Sequence, residues 1–228
     1  MNKIDHFTIG ADTLEQGMAD MQTRLGINIP RGSKHDAMST HNCVTKVGES
    51  CFLEVISIDP DARDPGRVRW FSLDDPKTRA NLARAPRPLG WVVNTDNLDE
   101  IVKNSPVDLG EVVFFQRGER TWRLTVPSDG SLVEDGLIPA FIEWSPGPHP
   151  SSGMQDLGLE LIAIQLQHPE PERIQDILTA LGVDHLATVT KGDEPALGFE
   201  LGAPDNGVVM LRSNDQPETA GSEVGAWK

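Results

Sequence analysis

The sequence predicts an α+β fold in which repeated βαβββ units curl into a half-barrel around a cavity. A strand pattern with one central carboxylate occurs twice, as FLEVIS around Glu54 and as FIEWS around Glu143. A second pattern, an apolar strand followed by a polar turn and a helix start, occurs at residues 5–14 and again at 89–98. Because the two patterns return in the same order, they indicate two homologous units.

The first unit spans residues 3–58. Its helix is expected to end at Gly26, since glycine adopts the left-handed conformation that closes helices. Gly48-Glu49 separates two strand-like runs and predicts a two-residue hairpin turn. The predicted elements are a strand at 3–10, a helix at 14–25, and strands at 41–47 and 50–58.

A second unit at 88–144 and a fainter third unit at 158–212 follow the same order of elements. Residues 1–150 are therefore predicted to form one domain of two units, joined by a linker at 59–87 that is rich in proline and arginine. The tail at 213–228 is polar and predicted to be loose. The later predicted strands lie at 110–116, 121–126, 138–144, 159–166, 185–190, 196–201 and 207–212, with a helix at 169–181.

Composition restricts the possible partners. The chain has 228 residues and a net charge of -15, which argues against nucleic acid and anionic membrane surfaces. Mean hydropathy is -0.32, and no apolar run approaches the roughly 20 residues that span a bilayer. The N-terminus enters a strand pattern directly, without a signal-peptide pattern, which predicts a cytoplasmic protein. Two cysteines do not make a disulfide framework.

Strand alternation places candidate ligands on one face. His6 is the polar exception on its face of the first strand, and Glu54 is the exception on its face of the last strand of the unit. If Gly48-Glu49 forms the turn, Cys43 pairs with Glu54, and His41 then shares the face of Glu54. Two imidazoles and one carboxylate form a common catalytic metal set.

Each of these residues also has a simpler interpretation. A histidine at a strand start is often a surface residue, and Glu54 could pair with an arginine of the linker. His41 could bond backbone at a loop end, or His41 and Asn42 could orient a substrate without a metal.

Further candidates come from the loops. The linker segment 62–84 is predicted to form a flap in which Arg69 or Arg79 faces an anionic ligand, since seven basic residues cluster in the linker of an acidic chain. Surface ion pairs are the alternative for these arginines. His149 is placed to reach the mouth of the cavity, or else is an exposed loop residue. Trp91 is a candidate substrate platform, with a core position as its alternative.

Several segments together resemble one family. They are IDHFTIGADTLEQGMADMQTRLGI, STHNCVTKVGESCFLEVISIDPD, RWFSLDDP, LGWVVNTDNLDE and IPAFIEW. With them the chain resembles the glyoxalase-like domain family of the vicinal oxygen chelate superfamily. The resemblance implies metal ligands from the first and last strand of each unit, which marks His6, Glu54 and Glu143. Gly90 matches His6 in the second unit, so one ligand of a full site is missing, and His41 is the candidate to replace it.

The resemblance implies a metal-dependent lyase, isomerase or dioxygenase acting on a small oxygen-rich metabolite. The metal would be a divalent ion (Zn, Fe, Mn or Ni), and Glu54 or Glu143 would act as the base. The alternative is a metal-free protein of the same fold that binds or sequesters a small molecule, as Gly90 favours. The sheet of the third unit has a face that the predicted helix does not cover, and this face must pack on the first two units or on a second chain. A homodimer through the third unit is the expectation, with packing inside one chain as the alternative.

Overall fold

The first unit contains the predicted strands and helix plus one further strand. The structure is a computed structural model that describes residues 2–215. Helix α1 begins after Thr13, whose side chain accepts a hydrogen bond from the Gln16 amide, and it ends at Gly26 with φ of 71°. The elements are β1 (Lys3–Gly10), α1 (Leu14–Leu25), β2 (Arg31–His35), β3 (Thr40–Val47) and β4 (Phe52–Ile58).

The second unit also follows the predicted order. A helix that the sequence analysis did not predict, α2, precedes it, with the Asp75 side chain accepting from the Thr78 amide and Pro76 in the first turn. The elements are α2 (Pro76–Arg84), β5 (Arg87–Asn94), α3 (Leu98–Asn104), β6 (Glu111–Arg117), β7 (Arg120–Val126) and β8 (Ala140–Trp144).

The third unit is a βαβββ unit as well. It consists of β9 (Asp156–His168), α4 (Pro171–Ala180), β10 (Thr188–Lys191), β11 (Ala196–Ala203) and β12 (Gly207–Arg212). Most of the tail predicted to be loose, residues 216–228, lies outside the described residues. No helix within residues 2–215 is long and apolar enough to cross a membrane.

The sheet order explains where the cavity forms. Twelve strands join into one sheet in which ten run in the order β12-β11-β9-β3-β4-β1-β5-β8-β7-β6. In the first unit β1 runs parallel to β4, and in the second β5 runs parallel to β8. The antiparallel pairing of β1 with β5 relates the two units by a pseudo-twofold, since Thr8 pairs with Gly90 and His6 pairs with Val92. The α+β half-barrel prediction is confirmed.

The third unit packs on the other two within the same chain. Its strand β9 extends the sheet beside β3, and the Phe199 ring lies 4.8 Å from the Phe7 ring, with both side chains fully buried. One face of this unit is thus covered by the first unit and by α4. Its other face carries exposed Ile162 and Val208, and its pairing with a second copy stays a prediction.

Candidate functional site

Polar side chains from both units meet in one cavity of about 590 Å³. Its walls are aromatic and come from the linker and from β7 and β8. The polar residues that line it are His6, His35, Asn42, Glu54 and Arg117, and the aromatic ones are Phe52, Trp70, Phe71, Trp122 and Trp144. An apolar cleft with a few convergent polar groups is the usual form of a small-molecule site.

Glu54 lies in the middle of β4 with only 5% of its surface exposed. Its Oε1 accepts a hydrogen bond from Asn42 Nδ2 at 2.7 Å, and its Oε2 accepts one from Thr8 Oγ1 at 3.3 Å. These donors orient the carboxylate and offset the cost of burying it.

His6 faces Glu54 across the cavity floor. Its Nδ1 donates to Asp5 Oδ1 at 2.6 Å, and its Nε2 lies 3.9 Å from Glu54 Oε2. The ring stacks on Phe52 with 4.6 Å between centroids, which fixes its plane. Burial disfavours the charged ring, yet the hydrogen bond and charge of Asp5 raise the pKa of His6 above its usual value. His6 therefore holds its proton more tightly than an ordinary histidine.

Asp5 is the fully buried anchor of this arrangement. Besides His6, it accepts hydrogen bonds from Trp144 Nε1 at 2.7 Å, His149 Nε2 at 3.0 Å and Asn94 Nδ2 at 3.2 Å. Burial alone would raise the pKa of Asp5, but the hydrogen bonds from His149 and His6 lower it well below the usual range. Asp5 thus remains a carboxylate that holds His6 in one tautomer.

Two polar lining residues, His35 and Arg117, were not predicted from the sequence, and neither were the aromatic walls Trp70, Trp122 and Trp144. His35 lies on β2, whose sequence lacks the apolar alternation that would predict a strand. Arg117 is the last residue of β6 and lies next to a turn. Burial lowers the pKa of His35 to about 4, so its ring is neutral and its Nε2 accepts from Asn42 Nδ2 at 3.4 Å. The available signal for Arg117 was its position in the sequence beside the aromatic residues of the second unit.

Arg117 supplies the positive charge at the exposed side of the cavity. Its guanidinium lies over the Trp122 ring at 5.8 Å from the centroid. Within the part of the chain that the structure describes, it forms no ion pair with a carboxylate. Desolvation lowers the pKa of Arg117, but an arginine remains charged at neutral pH. Its charge is therefore available to an anionic ligand.

The prediction that His41 shares the cavity with Glu54 is wrong. The Val47 amide donates to the Cys51 carbonyl at 2.9 Å, which closes a three-residue loop in place of the predicted two-residue turn. Val44 consequently pairs with Glu54, and the one-residue shift turns His41 to the opposite face. There His41 Nε2 lies 2.8 Å from Ser57 Oγ. Its neighbour Asn42 takes the place in the cavity that was expected for His41.

Glu143 also points away from the cavity. Its neighbours on β8, Ile142 and Trp144, line the cavity, so alternation places Glu143 on the other face. There it accepts a hydrogen bond from Arg123 Nε at 2.8 Å. In the second unit Val92 of β5 pairs with Ala140 of β8, and in the first unit Thr8 of β1 pairs with Glu54 of β4 at the corresponding position. The residue equivalent to Glu54 is therefore Ala140, and the equivalence inferred from the FIEWS pattern is wrong.

The remaining candidates occupy supporting positions. Arg69 pairs with Asp74 at 2.7 Å, and Arg79 is exposed on α2; neither lines the cavity, although their neighbours Trp70 and Phe71 do. Trp91 is buried, its Nε1 donates to the Leu137 carbonyl at 3.1 Å, and it lines a second, apolar space next to the cavity rather than the cavity itself. His149 supports Asp5 from behind the site.

The donor set falls short of the divalent-metal site that the resemblance implies. Within residues 2–215, no group of three or more His, Cys, Asp and Glu side chains is placed to hold one ion. His6 and Glu54 face each other, but the equivalent residues of the second unit are Gly90 and Ala140, which carry no donor atom in their side chains. Catalytic zinc sites use three protein ligands, one more than this pair provides.

Paired βαβββ units around one cleft define a protein of the glyoxalase/dioxygenase-like fold class. The chain belongs to the Glyoxalase-like domain family, whose family model matches residues 4–182. The matched range includes β9 and α4 of the third unit.

Three solved structures resemble this chain at low sequence identity. A hypothetical protein from Staphylococcus aureus is 12% identical, with a TM-score of 0.58, over 93% of this chain and 85% of that chain. Methylmalonyl-CoA epimerase from Mycobacterium tuberculosis is 14% identical, with a TM-score of 0.40, over 66% of this chain and 91% of that chain. A mutant of 4-hydroxymandelate synthase from Streptomyces coelicolor is 11% identical, with a TM-score of 0.47, over 92% of this chain and 62% of that chain. No curated protein matches the chain.

Proposed function

We propose that this protein is an enzyme that moves a proton at the carbon next to the carbonyl group of a small carboxylic acid. Glu54 acts as the base, His6 as the acid, and Arg117 binds the substrate carboxylate. The observation that carries the proposal is a buried row of three side chains. Asp5 contacts His6, and His6 faces Glu54 at the cavity floor. The class of reaction is that of an isomerase, epimerase or lyase, with no step assigned to a metal ion.

Glu54 and His6 are suited to opposite roles. Glu54 takes the proton from the carbon, and the electron pair of the C–H bond moves into the carbonyl to give an enolate. His6, which keeps its proton because of Asp5, donates from Nε2 to the enolate oxygen. Protonation of the same carbon on its other face by water, with loss of the Glu54 proton to solvent, gives an epimer. Transfer of the Glu54 proton to another atom of the enol gives an isomer.

The position of Arg117 favours an anionic substrate. A guanidinium without a protein carboxylate partner binds a carboxylate through two parallel hydrogen bonds. Since the chain carries a net charge of -15, a local positive charge in the cavity is needed to offset repulsion of an anion. The linker arginines that were expected in this role lie outside the cavity.

A metal-free binding protein is the second candidate. It is favoured by the aromatic walls Trp70, Trp122 and Trp144, which bind planar or apolar groups without chemistry. The experiment that separates the two candidates must therefore measure both binding and proton transfer.

Hydrogen–deuterium exchange tests the proposed chemistry without knowledge of the product. The protein is incubated in D2O with 2-oxo acids from pyruvate to phenylpyruvate, and deuterium incorporation at C3 is followed by proton NMR. We expect exchange above the buffer rate, with a loss of at least about 100-fold in Glu54→Gln. Glu143→Gln, the matched change on the opposite face of the sheet, is expected to keep the wild-type rate. Binding without exchange in the wild type would favour the binding protein.

A further inference from the structure

A second, apolar chamber adjoins the polar cavity, and its space of about 460 Å³ includes a part that is open to solvent. Trp70, Phe71 and Leu124 line both spaces and form the wall between them. The chamber is lined mainly by apolar side chains, and no charged side chain is among its lining residues. Gly90, Leu132 and Ala140 are among its lining residues.

The chamber is the second unit's counterpart of the polar site. The pseudo-twofold pairing makes Gly90 equivalent to His6 and Ala140 equivalent to Glu54. Both small residues line the chamber, so the space that a histidine and a glutamate fill in the first unit is left open in the second. A Cβ built on Gly90 would lie 3.4 Å from Leu132 Cδ2 and 3.7 Å from the Phe71 ring, which are ordinary contacts. Gly90 thus leaves usable volume and is not required by close packing.

The wall between the two spaces contains an unused hydrogen-bond donor. Trp70 is 6% exposed, and its buried Nε1 has no partner within the described residues. A buried N–H without an acceptor destabilises a folded protein, because the group has lost its hydrogen bonds to water. Trp70 lines both spaces, so a ligand oxygen that reaches this N–H would accept the hydrogen bond.

The same wall is held in place by backbone contacts. Phe71 and Ser72 have φ of 55° and 53°, which is the left-handed region that non-glycine residues rarely adopt. The Ser72 amide donates to the Gly130 carbonyl at 2.8 Å, and Ser72 Oγ accepts from the Leu132 amide at 3.1 Å. These hydrogen bonds join the linker to the loop of the second unit that contains Gly130 and Leu132, next to the chamber. They stabilise the unfavourable backbone conformation of the linker there.

We propose that the substrate of this site is a carboxylic acid with an extended apolar tail, an alkyl chain or an aryl group. The carboxylate binds Arg117, a polar oxygen next to the tail accepts from Trp70 Nε1, and the tail fills the chamber beside Gly90 and Ala140. The inference rests on the proposed function for the position of the acid group, and it adds the class of the substrate. The chamber selects against short polar acids, because they leave its apolar surface in water.

Binding of simple alkanoates tests the chamber separately from catalysis. Propanoate, hexanoate and octanoate are titrated into the full chain by isothermal calorimetry. We expect affinity to rise about fourfold per methylene until the chamber is full, so that octanoate binds at least about 100-fold more tightly than propanoate. Equal affinity of the three acids overturns the inference.

Variants locate the tail. Gly90→Leu fills the chamber and is expected to weaken octanoate by at least about tenfold while propanoate changes by less than about twofold. Gly90→Ala, whose Cβ fits, is the control and keeps the wild-type chain-length dependence. Ala140→Leu gives the same comparison if Gly90→Leu does not fold. Chain-length dependence that persists in both Leu variants places the tail elsewhere and overturns the inference.

The outcomes separate this inference from the proposed function. Chain-length dependence without deuterium exchange in 2-oxo acids contradicts the enzyme and supports the chamber. Exchange that proceeds equally with pyruvate and phenylpyruvate, and equal affinity for all alkanoates, supports the enzyme and contradicts the chamber. Arg117→Gln is expected to weaken all alkanoates by the same factor of about ten, since it contacts only the carboxylate.

Discussion

Replacement of Asp5 by asparagine should lower the pKa of His6 and destabilise the protein. Asp5 is fully buried and accepts four hydrogen bonds, three of them at one oxygen. In Asp5→Asn the amide oxygen can keep the donors Trp144, His149 and Asn94, but the NH2 group then faces His6 Nδ1. His6 must give up its Nδ1 proton to accept this bond, so its ring becomes neutral.

The magnitude follows from the type of bond that is lost. Hydrogen bonds to charged groups contribute about 1.5–3 kcal/mol, so Asp5→Asn should lose about 2–3 kcal/mol of unfolding free energy. Asp5→Ala leaves several buried donors unpaired and should lose about 3–5 kcal/mol. The control is Asp99→Asn, since Asp99 pairs with Arg123 but 73% of its side chain is exposed; it should cost less than about 1 kcal/mol.

The pH dependence gives a second, independent measurement. The pKa of Asp5 is lowered in the folded protein, so its contribution is present above its unfolded value of about 3.9 and is lost as the pH falls further. The pKa of His6 is raised, so its contribution is present below about pH 6.5 and is lost as the pH rises through the folded value. The difference between wild type and Asp5→Asn should therefore be largest at about pH 4.5–6.5.

Urea unfolding at several pH values measures the free energy, and histidine ring NMR signals give the pKa of His6. The expected result is a lower His6 midpoint in Asp5→Asn and a stability difference that narrows on both sides of its maximum. An unchanged His6 midpoint would refute the link between Asp5 and His6. A loss no greater than that of Asp99→Asn would show that the buried carboxylate adds nothing to stability.

Three further predictions concern other parts of the molecule. Burial lowers the pKa of His35 from about 6.5 to about 4, so the unfolded state takes up a proton first as the pH falls and the wild type loses stability between these pH values. In urea unfolding, His35→Gln should make this loss of unfolding free energy smaller by up to about 2 kcal/mol. Elemental analysis of protein purified without an affinity tag should find far less than one divalent ion per chain, since within residues 2–215 no group of three or more His, Cys, Asp and Glu side chains is placed to hold an ion. A full equivalent that disappears in His6→Ala would instead support a metal-dependent enzyme. Light scattering should detect a dimer that Val208→Lys, on the open face of the third unit, converts to monomer; a wild type that stays monomeric at high concentration contradicts the dimer.

Local patterns were sufficient for the elements and for half of the site. The alternation in β1 and β4 placed His6 and Glu54 correctly because the side-chain period of a strand depends only on its own residues. The end of α1 at Gly26 was predictable for the same reason, since capping acts within one turn. The repeat of βαβββ units was visible because the units return in the same order along the chain.

The equivalences across units could not be derived from the sequence. One additional residue in the loop at 48–50 turned His41 out of the cavity and brought Asn42 in, and no local preference distinguishes the two loop lengths there. FIEWS resembles FLEVIS as a string, yet sheet register makes Ala140 the counterpart of Glu54. Register is decided by the packing of whole strands, which short patterns do not record.

The sequence by itself determined the α+β repeat and the buried pair His6 and Glu54, because periodicity and capping are local. Only the tertiary structure decided which side chains complete the site. His35 and Arg117 enter it from strands far apart in the chain, and Asp5 gains its partners Trp144 and His149 through contacts across more than 130 residues. Contacts at such separation depend on how the units close on each other, so they become visible only after the sheet has formed.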